Sequence, residues 1–360
     1  MDSTKEKIEI IIVEDDLSQQ EMYRDTVEEF NIENEIYQII PNILINDDDI
    51  PSILYNKHID AILIDLNWGP DDKENKGNLL AQKIYEDCRI PIFIITGNLQ
   101  FLYTDYEESP IFKKYQRDEV EIYSVLKEIQ SIFETGYTKA LGGHSKIDEM
   151  LSKVFWEHVS TVFDEWKEQK ESERVQRMLR FTTTRINEML TVNTMDKHDN
   201  YDALEFYIKP AIKTKPFTGD IITYNEGKYI VLTAACDMEQ DNSEYVVLCQ
   251  IDFKNIENIK SRIKSGSNTA EKELSKYVNN SKARYHLLPP CNAFSGGLID
   301  FQKIISIDRE SFYEHTTVIA SVNPVFIKDI QARFSHYYGR QGQPQLDQER
   351  IIKWIKDDRS

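Results

Sequence analysis

Cysteine is scarce and scattered. The four residues, Cys88, Cys236, Cys249 and Cys291, form no CxxC pair. That argues against a disulfide framework or a zinc ribbon and suits a reducing, cytoplasmic setting. No apolar run approaches the length needed to cross a bilayer, so a membrane partner is not expected. The opening MDSTKEK leads straight into a strand-like run, with none of the pattern of a secretory signal. Positive charge is also in deficit. The net charge is −19, which argues against nucleic acid as a partner. Neither a sequence repeat nor a long low-complexity stretch is visible. What remains is a globular composition, 40% apolar and 29% charged, over 360 residues, enough for two domains with ordinary cores.

The acidity is localised. Residues 1–135 hold 12 Lys/Arg against 30 Asp/Glu, a net −18, and the remaining residues come to −1. The acidic third also carries the clearest pattern. Residues 8–13, 61–64 and 91–95 are apolar runs that end on Glu14-Asp15-Asp16, Asp65 and Thr96-Gly97-Asn98. Such runs read as buried parallel strands. A short strand at Ile111-Phe112 is expected to end at Lys113-Lys114. Helical spacing fills residues 17–30, 78–87 and 117–133 between and after them. Strands alternating with helices predict an α/β, doubly wound parallel sheet with its chemistry beyond the strands' carboxyl ends.

Three carboxylates gathered at that edge would repel one another unless a hard cation lay between them, and Mg²⁺ takes oxygen ligands. A carboxylate so placed can act as a nucleophile toward a phosphoryl group, given in-line positioning and charge neutralisation. A lysine and a threonine at neighbouring strand ends would add to that. The motifs IIIVEDD, AILIDLNWGP and IFIITGN, in that order, resemble the CheY-like (flavodoxin-like) receiver domains of bacterial two-component signalling. The resemblance implies that Asp65 accepts phosphate from a sensor histidine kinase. It implies that Glu14, Asp15, Asp65 and the backbone carbonyl of Asn67 hold Mg²⁺, that Thr96 hydrogen-bonds the phosphoryl group, and that Lys113, or else Lys114, pairs with it. Gly97 would leave room for the phosphoryl oxygens. The chain departs from that family in four ways. Its loop after Asp65 reaches Gly77 late, only 17 positions separate Thr96 from Lys113, Lys114 stands where a proline usually follows the lysine, and the usual aromatic residue ahead of the lysine is missing.

The expected organisation is a receiver over 1–135, a helical connector over 136–200, and a mostly β domain with C-terminal helices over 201–360. The connector carries two amphipathic patterns, Ile147 to Trp166 and Val175 to Leu190, suited to packing on a neighbouring domain or to homodimerisation. In the last part, IITY and KYIVLT flank Asn225-Glu226-Gly227 as a hairpin, followed by strands at 244–253 and 297–307 and by a strand or a buried helix start at 316–322. The hairpin resembles PemK/MazF-like barrels, but Lys228 is the only basic residue beside it, so an SH3-like, non-catalytic barrel is expected. Cys236 and Cys249 read as core residues. Arg333, His336, Tyr337, Tyr338 and Arg340 form a basic–aromatic patch. The whole layout resembles the receiver-only component of Detocs-like anti-phage defence systems, which implies a phosphate sink rather than an enzyme. The alternatives are a receiver that activates a C-terminal effector such as a nuclease, and a phosphorylation-independent adaptor.

Overall fold

The structure is a computed structural model that describes residues 5–68, 75–102, 106–168, 170–195, 200–292, 294–340, 342 and 344–357. The chain divides into two compact units, Met1–Lys197 and His198–Ser360.

The first unit starts with the strand β1 (Glu6–Val13), the helix α1 (Leu17–Glu33), β2 (Tyr37–Leu44), α2 (Ile50–Asn56) and β3 (Ala61–Ile64). It continues through α3 (Lys76–Asp87), β4 (Ile92–Thr96), β5 (Phe112–Gln116) and α4 (Ile122–Glu134). All strand pairs are parallel and the order is β2-β1-β3-β4-β5. This 2-1-3-4-5 order defines a CheY-like, flavodoxin-like fold.

Alternate residues of β1 go to opposite faces of the sheet. Ile8, Ile10 and Ile12 pack with Tyr23, Val27 and Phe30 of α1 and with Val125, Leu126, Ile129 and Phe133 of α4. Ile11 and Val13 pack with Ile62, Ile64, Ile92 and Ile94, under Leu80, Ala81 and Ile84 of α3. The sheet is therefore covered on both sides, which is why its central strands are apolar without alternation.

Two elements depart from the expected pattern. Strand β5 does not stop at Lys113 but continues to Gln116, with Phe93 opposite Lys113 and Thr96 opposite Gln116. As an edge strand it is only partly covered after Phe112, so it accommodates charged residues that a central strand would not. The crossover from β4 to β5 contains, among the described residues, only the 3₁₀ turn Leu99–Phe101.

The remainder of this unit is α5 (Tyr137–Leu141), α6 (Lys146–Val154), α7 (Phe163–Lys167) and α8 (Glu171–Met195). A π turn at Phe155–Val159 and a 3₁₀ turn at Ser160–Val162 interrupt the first expected connector helix. The start of this segment is fastened to the sheet. Buried Asp60, just before β3, accepts from the Glu9 amide at 2.9 Å and the Thr138 hydroxyl at 2.6 Å, and pairs with His58 at 3.0 Å. Arg89 reaches the Gly142 carbonyl at 3.1 Å and the Asp148 carboxylate at 2.8 Å.

The second unit comprises β6 (Tyr207–Ile208), β7 (Asp220–Tyr224), β8 (Gly227–Val231), α9 (Ala235–Glu239), β9 (Tyr245–Asp252), α10 (Lys254–Lys264) and α11 (Asn268–Val278). It ends with β10 (Tyr285–Leu288), β11 (Gly297–Asp308), α12 (Arg309–His315), β12 (Thr317–Val322), α13 (Pro324–Gly339) and α14 (Gln348–Asp357). Its antiparallel sheet has the order β10-β11-β9-β8-β7-β12-β6. The β7–β8 loop has two residues, Asn225 and Glu226, both at positive φ, rather than three. That is the turn whose twist matches a hairpin.

Cys249 is buried in β9, but Cys236 is exposed at the start of α9, outside any strand. The expected C-terminal patch is largely structural. Tyr337 is buried and accepts from Gln302 at 2.6 Å, Tyr338 donates to the Phe301 carbonyl at 2.6 Å, and Arg333 donates to the Tyr285 carbonyl at 2.9 Å.

His286 on β10 is buried with no hydrogen-bond partner at Nδ1. Asp329 lies 3.8 Å away and Arg333 nearby. Burial, reinforced by Arg333, pushes its pKa down to about 3. An unfolded histidine takes up a proton near pH 6.5, whereas this one resists until near pH 3. The second unit should therefore lose stability as pH falls through that window, at up to roughly 1.4 kcal/mol per pH unit from this group. Urea unfolding from pH 7 to 4 checks this. His286→Phe should flatten the acid limb, and an unchanged slope would show that His286 is not responsible.

Candidate functional site

Strand β1 ends at Val13, and the next three residues divide their roles. Asp16 caps α1, accepting from the amides of Ser18 at 2.7 Å and Gln19 at 3.2 Å. With Asp16 in that post, Glu14 and Asp15 are not needed as the cap. The Glu14 carbonyl accepts from the Gln20 side chain at 2.7 Å, which fixes the turn.

Glu14, Asp15 and Asp65 offer carboxylate oxygens within 4.8 Å of one another, and Glu14 and Asp65 are buried. Burial pushes the Glu14 carboxyl up to about 7; Arg117 pulls it down, while Asp65 and Asp15 add to the rise. Asp15 is likewise raised, mainly by burial.

Asp65 directly follows β3. Its carbonyl accepts from the Trp68 indole at 2.9 Å. Gly77 on α3 lies against the same stretch. A Cβ there would come 2.5 Å from the Asp65 carbonyl oxygen and 2.6 Å from Leu66 Cα. Only glycine lets the first turn of α3 approach so closely. Asn67 lies two residues past Asp65 and is exposed, and Gly69 and Pro70 of the same motif fall outside the described residues.

Thr96 ends β4 and is fully buried, yet its hydroxyl has no partner, and neither does Asp65 Oδ1. Buried polar atoms are nearly always hydrogen-bonded, so two such orphans at adjacent strand ends point to a polar group that belongs there. Beside them Gly97 has open space where a Cβ would be.

The cationic residue of the site is Arg117, not Lys113. Arg117 follows β5 directly, and its guanidinium lies 2.7 Å from Glu14 Oε2 and 2.9 Å from Asp65 Oδ2. Burial opposes its charge, but Asp65 and Glu14 outweigh that and hold its pKa above the usual value. Lys113 lies four positions earlier, about 13 Å back along the edge strand. Lys114 is turned over the Phe112 ring, 5.8 Å from its centroid. The expected lysine rested on ending the strand at its first charged residue. The signal that could have found Arg117 is its position just past a strand in register with Thr96.

No protein-family model matches the chain, and no curated protein matches it. Among solved structures, the chain is similar to the receiver domain of the TMAO respiratory response regulator TorR. Identity is 19% over 36% of this chain and 98% of that one, with a TM-score of 0.27. A Burkholderia pseudomallei response regulator with a phosphorylated aspartate, calcium ion and citrate is 16% identical over 49% of this chain and 97% of that one, with a TM-score of 0.22. A MazE–MazF structure from Deinococcus radiodurans is 12% identical over 36% of this chain and all of that one, with a TM-score of 0.24. The strand order and the acidic site, rather than these distant likenesses, define the first unit as CheY-like.

Thr96→Val removes a buried hydroxyl that makes no bond, in nearly the same volume. The first unit should be as stable as wild type, or more so by about 1 kcal/mol. Urea unfolding followed by tryptophan emission checks this, since three of the four tryptophans, Trp68, Trp156 and Trp166, lie in the first unit. A loss of stability would mean that the hydroxyl has a structural partner.

Proposed function

We propose that the first unit is a phospho-accepting receiver, with Asp65 as the acceptor. The observation that carries this is the pair of buried, unpartnered oxygens, Asp65 Oδ1 and Thr96 Oγ1, beside a three-carboxylate cluster at the carboxyl edge of a 2-1-3-4-5 sheet. Ligands of such sheets bind at that edge.

The donor set fits a hard divalent cation such as Mg²⁺: carboxylate oxygens from Glu14, Asp15 and Asp65, with the Asn67 carbonyl as the proposed fourth. The cation would supply charge neutralisation at the phosphoryl oxygens. Asp65 Oδ1 attacks phosphorus, forming the acyl–phosphate P–O bond as the P–N bond to the histidine of a sensor kinase breaks and the imidazole leaves with the electron pair. Thr96 Oγ1 donates its hydrogen bond to a phosphoryl oxygen, and the space beside Gly97 admits the group. Arg117 takes the pairing role that the sequence assigned to Lys113.

In this reading the chain is not an enzyme. It works in the cytoplasm as a phosphate sink for a histidine kinase, in the manner of Detocs-like anti-phage defence. Two features support a binding role for the rest of the chain. Lys228, the basic residue of the β7–β8 hairpin, lies over the Phe253 ring at 4.9 Å. In the connector, Phe155, Trp156, Val175 and Leu179 are exposed, a surface suited to homodimerisation.

Incubation of the full chain with Mg²⁺ and acetyl phosphate, followed by intact mass, tests the reading. Wild type should gain one phosphoryl group and Asp65→Asn none. An adduct that persists in Asp65→Asn would move the acceptor elsewhere. No adduct on either, from acetyl phosphate or from a phosphorylated kinase, would favour the adaptor reading.

A further inference from the structure

The second unit holds a partly buried cation without a counter-ion. Arg333 lies in the third turn of α13, and its Nη2 donates to the Tyr285 carbonyl at 2.9 Å. Its Nε is buried and has no partner, and among the described residues no carboxylate oxygen comes within 4.0 Å of the guanidinium. Asp329, one turn earlier, lies 3.8 Å from His286 instead. Burial lowers the pKa of Arg333, and Asp329 offsets this only in part. A buried charge is costly unless it is paired, so this guanidinium has room for an anion that the fold does not supply. Beside it is a pocket of about 450 Å³, lined by Asn280, Ala283, Ala332, Arg333, His336 and Tyr337. None of these residues is acidic. His336 is exposed one turn along the same face of α13, and Asn280 sits in the turn after α11. Neither side chain has a hydrogen-bond partner among the described residues. A second guanidinium, that of Arg340, lies 4.0 Å from the centre of the Tyr337 ring and adds positive charge at this end of α13.

We propose that this pocket binds a small phosphate monoester, with Arg333, His336 and Asn280 taking the phosphoryl oxygens and the apolar remainder resting against Tyr337, Ala283 and Ala332. A phosphoryl group presents three strong acceptor oxygens in a tetrahedron, which suits donors that come from two elements. A carboxylate presents two in a plane, and one guanidinium fork satisfies those alone. The volume is that of a small-molecule site, and its mix of apolar wall and a few polar groups is typical of one. The site lies wholly within the second unit, so it does not depend on the receiver reading of the first.

The test is titration calorimetry of the full chain with phenyl phosphate, at constant ionic strength and without Mg²⁺. Wild type should bind one molecule saturably. Arg333→Gln should weaken binding about ten-fold or more, and Arg333→Lys less, because it keeps the charge but loses the fork. His336→Ala and Asn280→Gly should each weaken it about three-fold. These two remove side chains that make no bond in the fold, and glycine keeps the positive φ of position 280, so they carry the test if Arg333→Gln does not fold. Asp65→Asn should bind as wild type does, which separates this site from the acidic one. Binding that all three pocket variants leave undiminished overturns the proposal, as does the absence of saturable binding at millimolar probe. Benzoate that binds as tightly as phenyl phosphate overturns the assignment of a phosphate.

Discussion

Three carboxylates within 4.8 Å, two of them buried, must be held together against their own repulsion. Much of the first unit's local structure answers that constraint. Asp16 takes over the cap of α1, which leaves Glu14 and Asp15 for the crevice. Gly77 lets α3 close over the Asp65–Leu66 backbone, which fixes the end of β3. Strand β5 runs on to Gln116, and this extension delivers Arg117 to the two acids. Gln116 itself donates to the Gly97 carbonyl, tying the ends of β4 and β5 together beside Thr96.

What the sequence reveals of this unit follows the strength of its burial. β3 and β4 are buried throughout, and β1 is buried from Ile10 on, so their apolar runs, broken in β1 by Glu9 alone, end at the residues of the site. The edge strands carry less information. β2, with the sequence YQIIPNIL, is only partly covered and has a proline that an edge tolerates, so its pattern does not stand out. β5 places Lys113 and Lys114 in the strand itself, where a reader tracking hydrophobicity sees its end. Glu14, Asp15, Asp65 and Thr96 are therefore legible as a group, whereas the cation is not. Choosing Arg117 over Lys113 needs the register of β5 against β4, and register is a property of paired strands rather than of one run of residues.

In the second unit the legible parts are the strands with strong alternation or strong β character. The β7–β8 hairpin, β9, β11 and β12 can all be read. The helices α10 and α11 carry a narrow apolar stripe, Ile256, Ile259 and Ala270 to Tyr277, among many charges, and that is a weak signal without knowledge of the sheet they cover. Cys236 shows the limit of composition arguments. The run YIVLTAAC looks continuously buried, but the strand ends at Val231 and the cysteine lies on a short exposed helix. Cys249, second from the end of the equally apolar YVVLCQ, is enclosed because its strand continues through it between two neighbours.

The short crossover between β4 and β5 has a mechanical consequence for how a change at Asp65 can travel. Among the described residues that segment holds one 3₁₀ turn, so it offers no long rigid element on that side. Arg117, by contrast, opens the 3₁₀ turn Arg117–Glu119 that leads directly into α4. α4 packs its Val125, Leu126, Ile129 and Phe133 against the sheet and α1, and Gly136, at positive φ, joins it to α5. Thr138 of α5 is bonded to Asp60 at the opposite edge of the sheet, and the segment continues into α6 through Asp148, held by Arg89. A packed helix moves as a body rather than dissipating a displacement at its end. The guanidinium at the head of α4 is therefore joined, through α4 and α5, to the helices of the connector. Its contact with Asp65 leaves one donor, Arg117 Nε, and one acceptor, Asp65 Oδ1, unused at the start of that run of helices.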